Sequence, residues 1–141
     1  ALEAWLGLSR EEADKFNAYF EGLPKRRDLN QELVNAVSAG LPEDRLAAKN
    51  GNTRLVLGIE SIQFNESTRS YSHLLTLKAK AHMEWPQDQK QPNSTIREYL
   101  CYTDYRNINE LLADNGAGLD EVINLCIQQL ARQVSVALRF D

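Results

Sequence analysis

The sequence predicts an α+β domain, with an antiparallel sheet of three or four strands and helices packed on one face of it. Three observations carry that expectation. "LLTLKAKAHMEW", residues 74–85, alternates apolar and polar side chains with the period of a strand. The closing stretch "GLDEVINLCIQQLARQVSVALRF" repeats its apolar positions with the period of a helix. The composition is that of a folded chain, with 141 residues, 43% hydrophobic and 26% charged, and only 7 Gly and 4 Pro. A chain of this length makes one domain, and burying about two thirds of its unfolded surface supplies one core. We therefore expect one unit over 1–141, with 1–24 a helical addition and 28–141 the core.

Taken in order, Ser9-Arg10-Glu11-Glu12 has the capping-box pattern, in which the serine accepts from an early amide and the glutamate reaches back. The helix it starts should run through Phe16 and Phe20 and stop at Gly22 and Pro24. Asp28-Leu29-Asn30-Gln31 is a second box-like start, for a helix carrying Leu33, Val34 and Val37 and closed by Gly40 and Pro42. After the turn-rich "KNGN" at 49–52 the pattern changes to strands. "TRLVLGIESIQF" (53–64) is the first, and "NESTRS" (65–70) the turn after it. In the second strand Leu75, Leu77, Ala79, Ala81, Met83 and Trp85 fall on one face, while Thr76, Lys78, Lys80, His82 and Glu84 fall on the other. One wet side marks an antiparallel sheet covered on a single face. "PQDQKQPNS" is the loop before a third strand, "TIREYLCYTDY" (95–105).

The chain then leaves the sheet through a short helix, "NINELLA", and a turn, "DNGAG". On the last helix Leu119, Val122, Ile123, Cys126, Ile127, Leu130, Val134, Ala137 and Leu138 share a stripe, and Glu121, Asn124, Gln128, Arg132, Ser135 and Arg139 lie opposite. The stripe suits the dry face of the sheet, so Cys126 should point inward.

The charge balance offers a polyanion no general attraction, since the net charge is −4 and the pI about 5.2. Lys25-Arg26-Arg27 is the one dense basic run, and a solvated turn between helices accounts for it. Nucleic acid is therefore not an expected partner. No apolar run approaches the roughly 18 residues of a membrane span.

Site chemistry is sparse. His73 and His82 are an odd number of residues apart in one strand, hence on opposite faces, and neither has a second ligand at usable spacing; no metal is expected. A Cys/His nucleophile would need His82, on the wet face, to meet Cys126, on the dry one. No G-x-S-x-G elbow and no glycine-rich phosphate loop occurs, so we expect neither catalytic residues nor a cofactor. The acidic pairs Glu11-Glu12 and Asp120-Glu121 suit helix starts. The two cysteines are 25 positions apart with no C-x-x-C. If Cys101 faces inward, Cys101 and Cys126 can form a disulfide stapling helix to sheet, worth about 3 kcal/mol through loop closure. Otherwise they are two buried thiols, or one of them is a reactive thiol. On the outer side of the last helix, Leu125 and Val136 nearly superpose around the axis, flanked by Gln129 and Arg132. With Lys78 and Lys80 at its border, this is the candidate surface for a protein partner or a homo-oligomer.

"YLCYTDYRNINELLADNGAGLDEVINLCIQQLARQVSVALRF" resembles the ending of small bacterial envelope lipoproteins of unassigned role. The counterparts are Ile108, Leu111, Leu112 and Ala113 in the short helix, Asp114-Asn115-Gly116 in the turn, and Leu130-Ala131 followed by Val134 and Leu138. With "ELVNAVSAG" and the two strands before it, the layout is similar to the α/β domain of the curli-secretion lipoprotein and of the TolB amino-terminal region. The resemblance implies a non-catalytic accessory or assembly factor of the envelope, periplasmic and held to the outer membrane by a lipid anchor that this sequence does not contain. The alternative is a soluble domain binding a small ligand or peptide between its first helix and the sheet, against a wall of Trp5, Phe16 and Phe20.

Overall fold

The computed structural model describes residues 9–41, 56–66, 74–85 and 95–140. It is an α+β fold. Helices α1 (Arg10–Arg26) and α2 (Leu29–Ala39) precede strands β1 (Val56–Glu66), β2 (Leu74–Trp85), β3 (Thr95–Tyr102) and β4 (Arg106–Asn107), and α3 (Ile108–Phe140) ends the chain. The sheet is antiparallel in the order β1-β2-β3, with β4 continuing the line of β3 along β2. The segments "KNGN", "PQDQKQPNS", Trp5, Pro42 and His73 lie outside the described residues.

The capping box forms as the sequence requires. The Ser9 amide donates to Glu12 Oε1 at 2.9 Å and the Glu12 amide to Ser9 Oγ at 3.2 Å. The expected stop at Gly22 and Pro24 does not occur, because α1 continues to Arg26. Pro24 lacks only the amide that would bond the Phe20 carbonyl. Buried Leu23 and the Arg27 amide, which donates to the Leu23 carbonyl at 2.8 Å, hold the last turn together. Asp28 caps α2 by accepting from the Gln31 amide at 3.1 Å.

In β2, Leu75, Leu77, Ala79, Ala81 and Met83 are buried beneath the helices. Register carries this face across the sheet to Leu57, Ile59, Ile62 and Phe64 of β1 and to Tyr99 and Cys101 of β3. A bulge between Ile59 and Ser61 restores the alternation after Glu60. Thr76, expected on the wet face, is buried, because its hydroxyl donates to the Thr103 carbonyl beside the β3–β4 junction. α1 is not peripheral. Ala13, Phe16, Tyr19 and Leu23 join the same core, and Phe16 meets Phe64 edge-on at 5.0 Å between ring centroids.

α3 is broken where the sequence places a turn. Ala113 is extended, and Asp114, Asn115 and Gly116 have φ of 53°, 58° and 91°. A Cβ on Gly116 would stand 2.5 Å from Tyr19 Cδ2, so backbone conformation and α1 packing both require glycine there. Beyond the break Leu119, Val122, Ile123, Cys126, Ile127, Leu130 and Val134 are buried. Ser135, expected on the outer side, is buried as well, because α2 packs along that flank and brings Gly40 and the Val37 carbonyl to it.

Cys101 and Cys126 are joined by a disulfide, with their Cα atoms 5.6 Å apart. Both are buried, and the loop between them holds β4 and the α3 break. Replacing both by Ser should lower stability by about 3 kcal/mol, a melting-point drop of roughly 6–12 °C in a domain of this size, measurable by calorimetry. Gly116→Ala should cost about 1–3 kcal/mol, read as a lower urea midpoint.

Candidate functional site

The helix that closes the chain has two differently employed flanks. At 100° per residue, Gln133 lies about 20° around the axis from Cys126. Both reach β3, Cys126 through the disulfide and Gln133 through an amide donating to the Leu100 carbonyl at 2.8 Å. Asp120, Asn124 and Ser135 lie about 120–180° from Cys126, and they meet α1, α2 or the residues that join them. Leu125, Gln129 and Val136 fall about 60–100° from Cys126 in the other sense. They therefore face outward above the free edge of β3. Leu125 is 39% and Val136 48% exposed.

That edge is open. Odd-numbered residues of β3 face β2 with their backbone groups, as the Thr103 amide bonding the Leu77 carbonyl at 3.0 Å shows for the continuation of the strand. The backbone of Glu98, Leu100 and Tyr102 therefore points away from the sheet. Among the described residues, the Gln133 amide on Leu100 is the bond that meets this row. Below the edge, on the wet face, Leu100 is 40% and Tyr102 53% exposed, with Tyr105 close by in the chain, also 53% exposed.

The expected partner surface is thus divided. Lys78 and Lys80 are not beside Leu125 and Val136. They lie on the opposite side of the sheet, where Lys78 pairs in register with Tyr102 and Lys80 with Leu100. The strand's alternation forces the separation, since even positions of β2 face away from the helices. Lys78 Nζ stands 5.7 Å from the centre of the Tyr102 ring. Lys80 bonds Glu98 at 2.9 Å and lies 3.7 Å from Glu60, and the Glu98 bond first of all holds its ammonium above the usual lysine range. Arg132 and Gln129 stay exposed on α3. What joins the two halves is the β3 edge between them.

Other expected chemistry is accounted for by packing. Both sulfurs are in the disulfide, and His82 covers Gly58, where a Cβ would lie 2.8 Å from its ring. Of the wall expected for a ligand groove, Phe16 is fully buried and its ring and that of Phe20 pack on Phe64, while Trp5 lies outside the described residues. Among the described residues no cluster of His, Cys, Asp or Glu is arranged to hold a metal ion, and no helix is long and apolar enough to cross a membrane.

Of the basic run, Lys25 and Arg26 are exposed on the last turn of α1, whereas Arg27 is not solvated. Arg27 is enclosed by Glu32, Asp120 and Asn124, with Nε to Glu32 Oε2 at 2.9 Å, Nη1 to Asp120 Oδ1 at 3.3 Å and Nη2 to Asn124 Oδ1 at 2.5 Å. Its bond to Glu32 raises its pKa further, which keeps the guanidinium charged at any working pH. Tyr19 donates to Asp120 Oδ1 at 2.5 Å, and Arg26 lies over the Tyr19 ring at 5.1 Å. Burial first, then the Asp120 carboxylate, pushes the Tyr19 hydroxyl well above its ordinary 10.0. A phenol held protonated is a donor, not a base. This junction ties three helices together.

Sequence reasoning missed Leu100, Tyr102 and Gln133. Leu100 and Tyr102 share the even phase of Glu98, a signal hidden because Cys101 between them is also apolar. No protein-family model, no curated protein and no solved structure matches the chain.

Tyr19→Phe should cost about 1.5–3 kcal/mol, the worth of a hydrogen bond to a charged group. Because the native tyrosine holds its proton more tightly than the unfolded one, the wild-type advantage is complete below pH 10.0 and shrinks as pH rises past it. Urea midpoints of both proteins measured across that pH test the sign.

Proposed function

We propose that this protein is a non-catalytic accessory factor of the bacterial envelope that works through protein contacts at the β3 edge. The observation that carries the reading is the clustering of exposed Leu100, Tyr102, Leu125 and Val136 around one strand whose outward backbone is met, among the described residues, by the Gln133 side chain. Scattered exposed apolar residues are ordinary, but their collection at an open sheet edge favours association. Aromatic and aliphatic side chains above and below such an edge give an incoming strand both hydrogen bonds and apolar anchors.

The disulfide supports the compartment. Buried disulfides between a sheet and its covering helix persist in oxidising surroundings such as the periplasm, and a reducing cytosol disfavours them. This agrees with the lipoprotein resemblance, in which a lipid anchor ahead of this domain holds it at the outer membrane. Against the ligand-binding alternative stand the burial of Phe16 in the core and the packing of Phe20 on Phe64.

The test is cross-linking in cells followed by purification. A protein adduct should form with the wild type and be lost when Leu100→Asp and Leu125→Glu are combined, while the melting point changes by no more than a few degrees. Fractionation should place the protein in the envelope with both cysteines oxidised. A cytosolic location, or stabilisation by a small metabolite that both substitutions leave intact, would refute the reading.

A further inference from the structure

We infer that the partner at the β3 edge is a second copy of this chain, joined by antiparallel pairing of the two β3 strands about a twofold axis through Leu100. The inference rests on the protein-contact reading and names the partner. In this arrangement two three-stranded ladders become one continuous sheet, and both α3 helices lie on the same side of it. Such an interface is isologous, so the surface on one copy must complement itself.

Three features meet that condition. First, the outward amide and carbonyl of Leu100 exchange bonds with the same groups of the other copy, as directly opposed residues do in an antiparallel pair. Tyr102 then faces the partner's Glu98, and Leu100 the partner's Leu100, on the wet side. Second, the helices fit. α3 packs on β2 and β3 alike. With strands about 4.8 Å apart, its axis stands roughly 5 Å from the twofold. The two helices are then about 10 Å apart, which is within helix packing distance. Third, the apolar positions match. Leu100 is bracketed along α3 by Cys126, bonded to the adjoining Cys101, and by Gln133, bonded to the Leu100 carbonyl. Residues 129 and 130 thus stand over it. Leu125 and Val136 are disposed almost equally to either side of that point, so the axis that pairs the strands sets Leu125 of each copy against Val136 of the other.

Gln133 is the guard of this edge. Its side chain is exposed and satisfies the Leu100 carbonyl in the single chain. A carbonyl oxygen accepts two hydrogen bonds, so the amide of the second copy adds to Gln133 or replaces it.

Sedimentation equilibrium across a concentration series tests the proposal. The mass should rise from 16.0 kDa to twice that value. Leu100→Pro is the selective probe, because the amide it removes points out of the sheet and takes no part in the β2–β3 ladder. It should weaken dimerisation at least about tenfold, a loss of roughly 1.4 kcal/mol. Leu125→Glu with Val136→Glu should do the same without touching the strand. As a positive test, L125C combined with V136C should yield a covalent dimer on oxidation. Within one chain these positions lie about 16 Å apart, beyond the reach of a disulfide. A chain that stays monomeric throughout overturns the proposal, and if it still forms adducts with a different protein the broader reading survives. A dimer that both Leu100→Pro and the paired glutamates leave unchanged overturns it too.

Discussion

The structure depends on the one-sided burial of β2. Leu75, Leu77, Ala79, Ala81 and Met83 place five apolar side chains under the helices, and the strand between them carries Lys78, Lys80 and His82 to the other side. A shift of one residue in pairing would put lysines into the core, so this pattern holds β1 and β3 in register. Among the described residues, the same alternation leaves the far face without a helical cover. Each remaining element is arranged around that asymmetry: α3 over β2 and β3, α2 beside α3 over β1, and α1 across Phe64.

Apolar burial is not directional, and polar contacts orient the helices on it. Arg27 lies between α1 and α2 yet bonds Glu32 of one and Asp120 and Asn124 of α3. Tyr19 adds α1 to the same carboxylate. An arginine enclosed by two carboxylates and an amide exchanges water for charge-assisted bonds of defined geometry, which a greasy contact does not supply. The left-handed turn at 114–116 lets α3 restart against this junction, and Gly116 keeps Tyr19 free of a side chain that would displace it. The disulfide anchors the other flank of α3.

A sheet has two edges, and among the described residues each receives a side-chain bond from a helix. On β1 the bulge at Glu60 interrupts the strand, and Asn30 of α2 accepts from the Ile59 amide at 2.8 Å. That bond meets one outward amide of β1. On β3, among the described residues, the exposed Gln133 side chain meets the row, and Leu100, Leu125 and Val136 stand exposed around it. Strand edges left open this way invite pairing with another chain.

Much of this was legible in the residues. The strand alternation of 74–85, the capping box at Ser9, the Asp28 cap, the break at Asp114-Asn115-Gly116 and the inward stripe holding Cys126 all follow from local periodicity and cap chemistry. Those rules act over a few residues, which is the range a sequence pattern reports. They erred where distant groups intervened: α1 passes Pro24 because Leu23 is buried, Ser135 is covered because α2 lies beside it, and Arg27 leaves water for Asp120, 93 positions away. They also could not place Lys78 and Leu125 on opposite sides of the sheet, nor show that Leu100 has its backbone on a free edge. By itself the sequence determined which elements form and which face of each is apolar, since these depend on side-chain spacing alone. Only the tertiary structure decided which strand edge stays open and which exposed side chains gather there, because that depends on strand order and on where each helix lies across it.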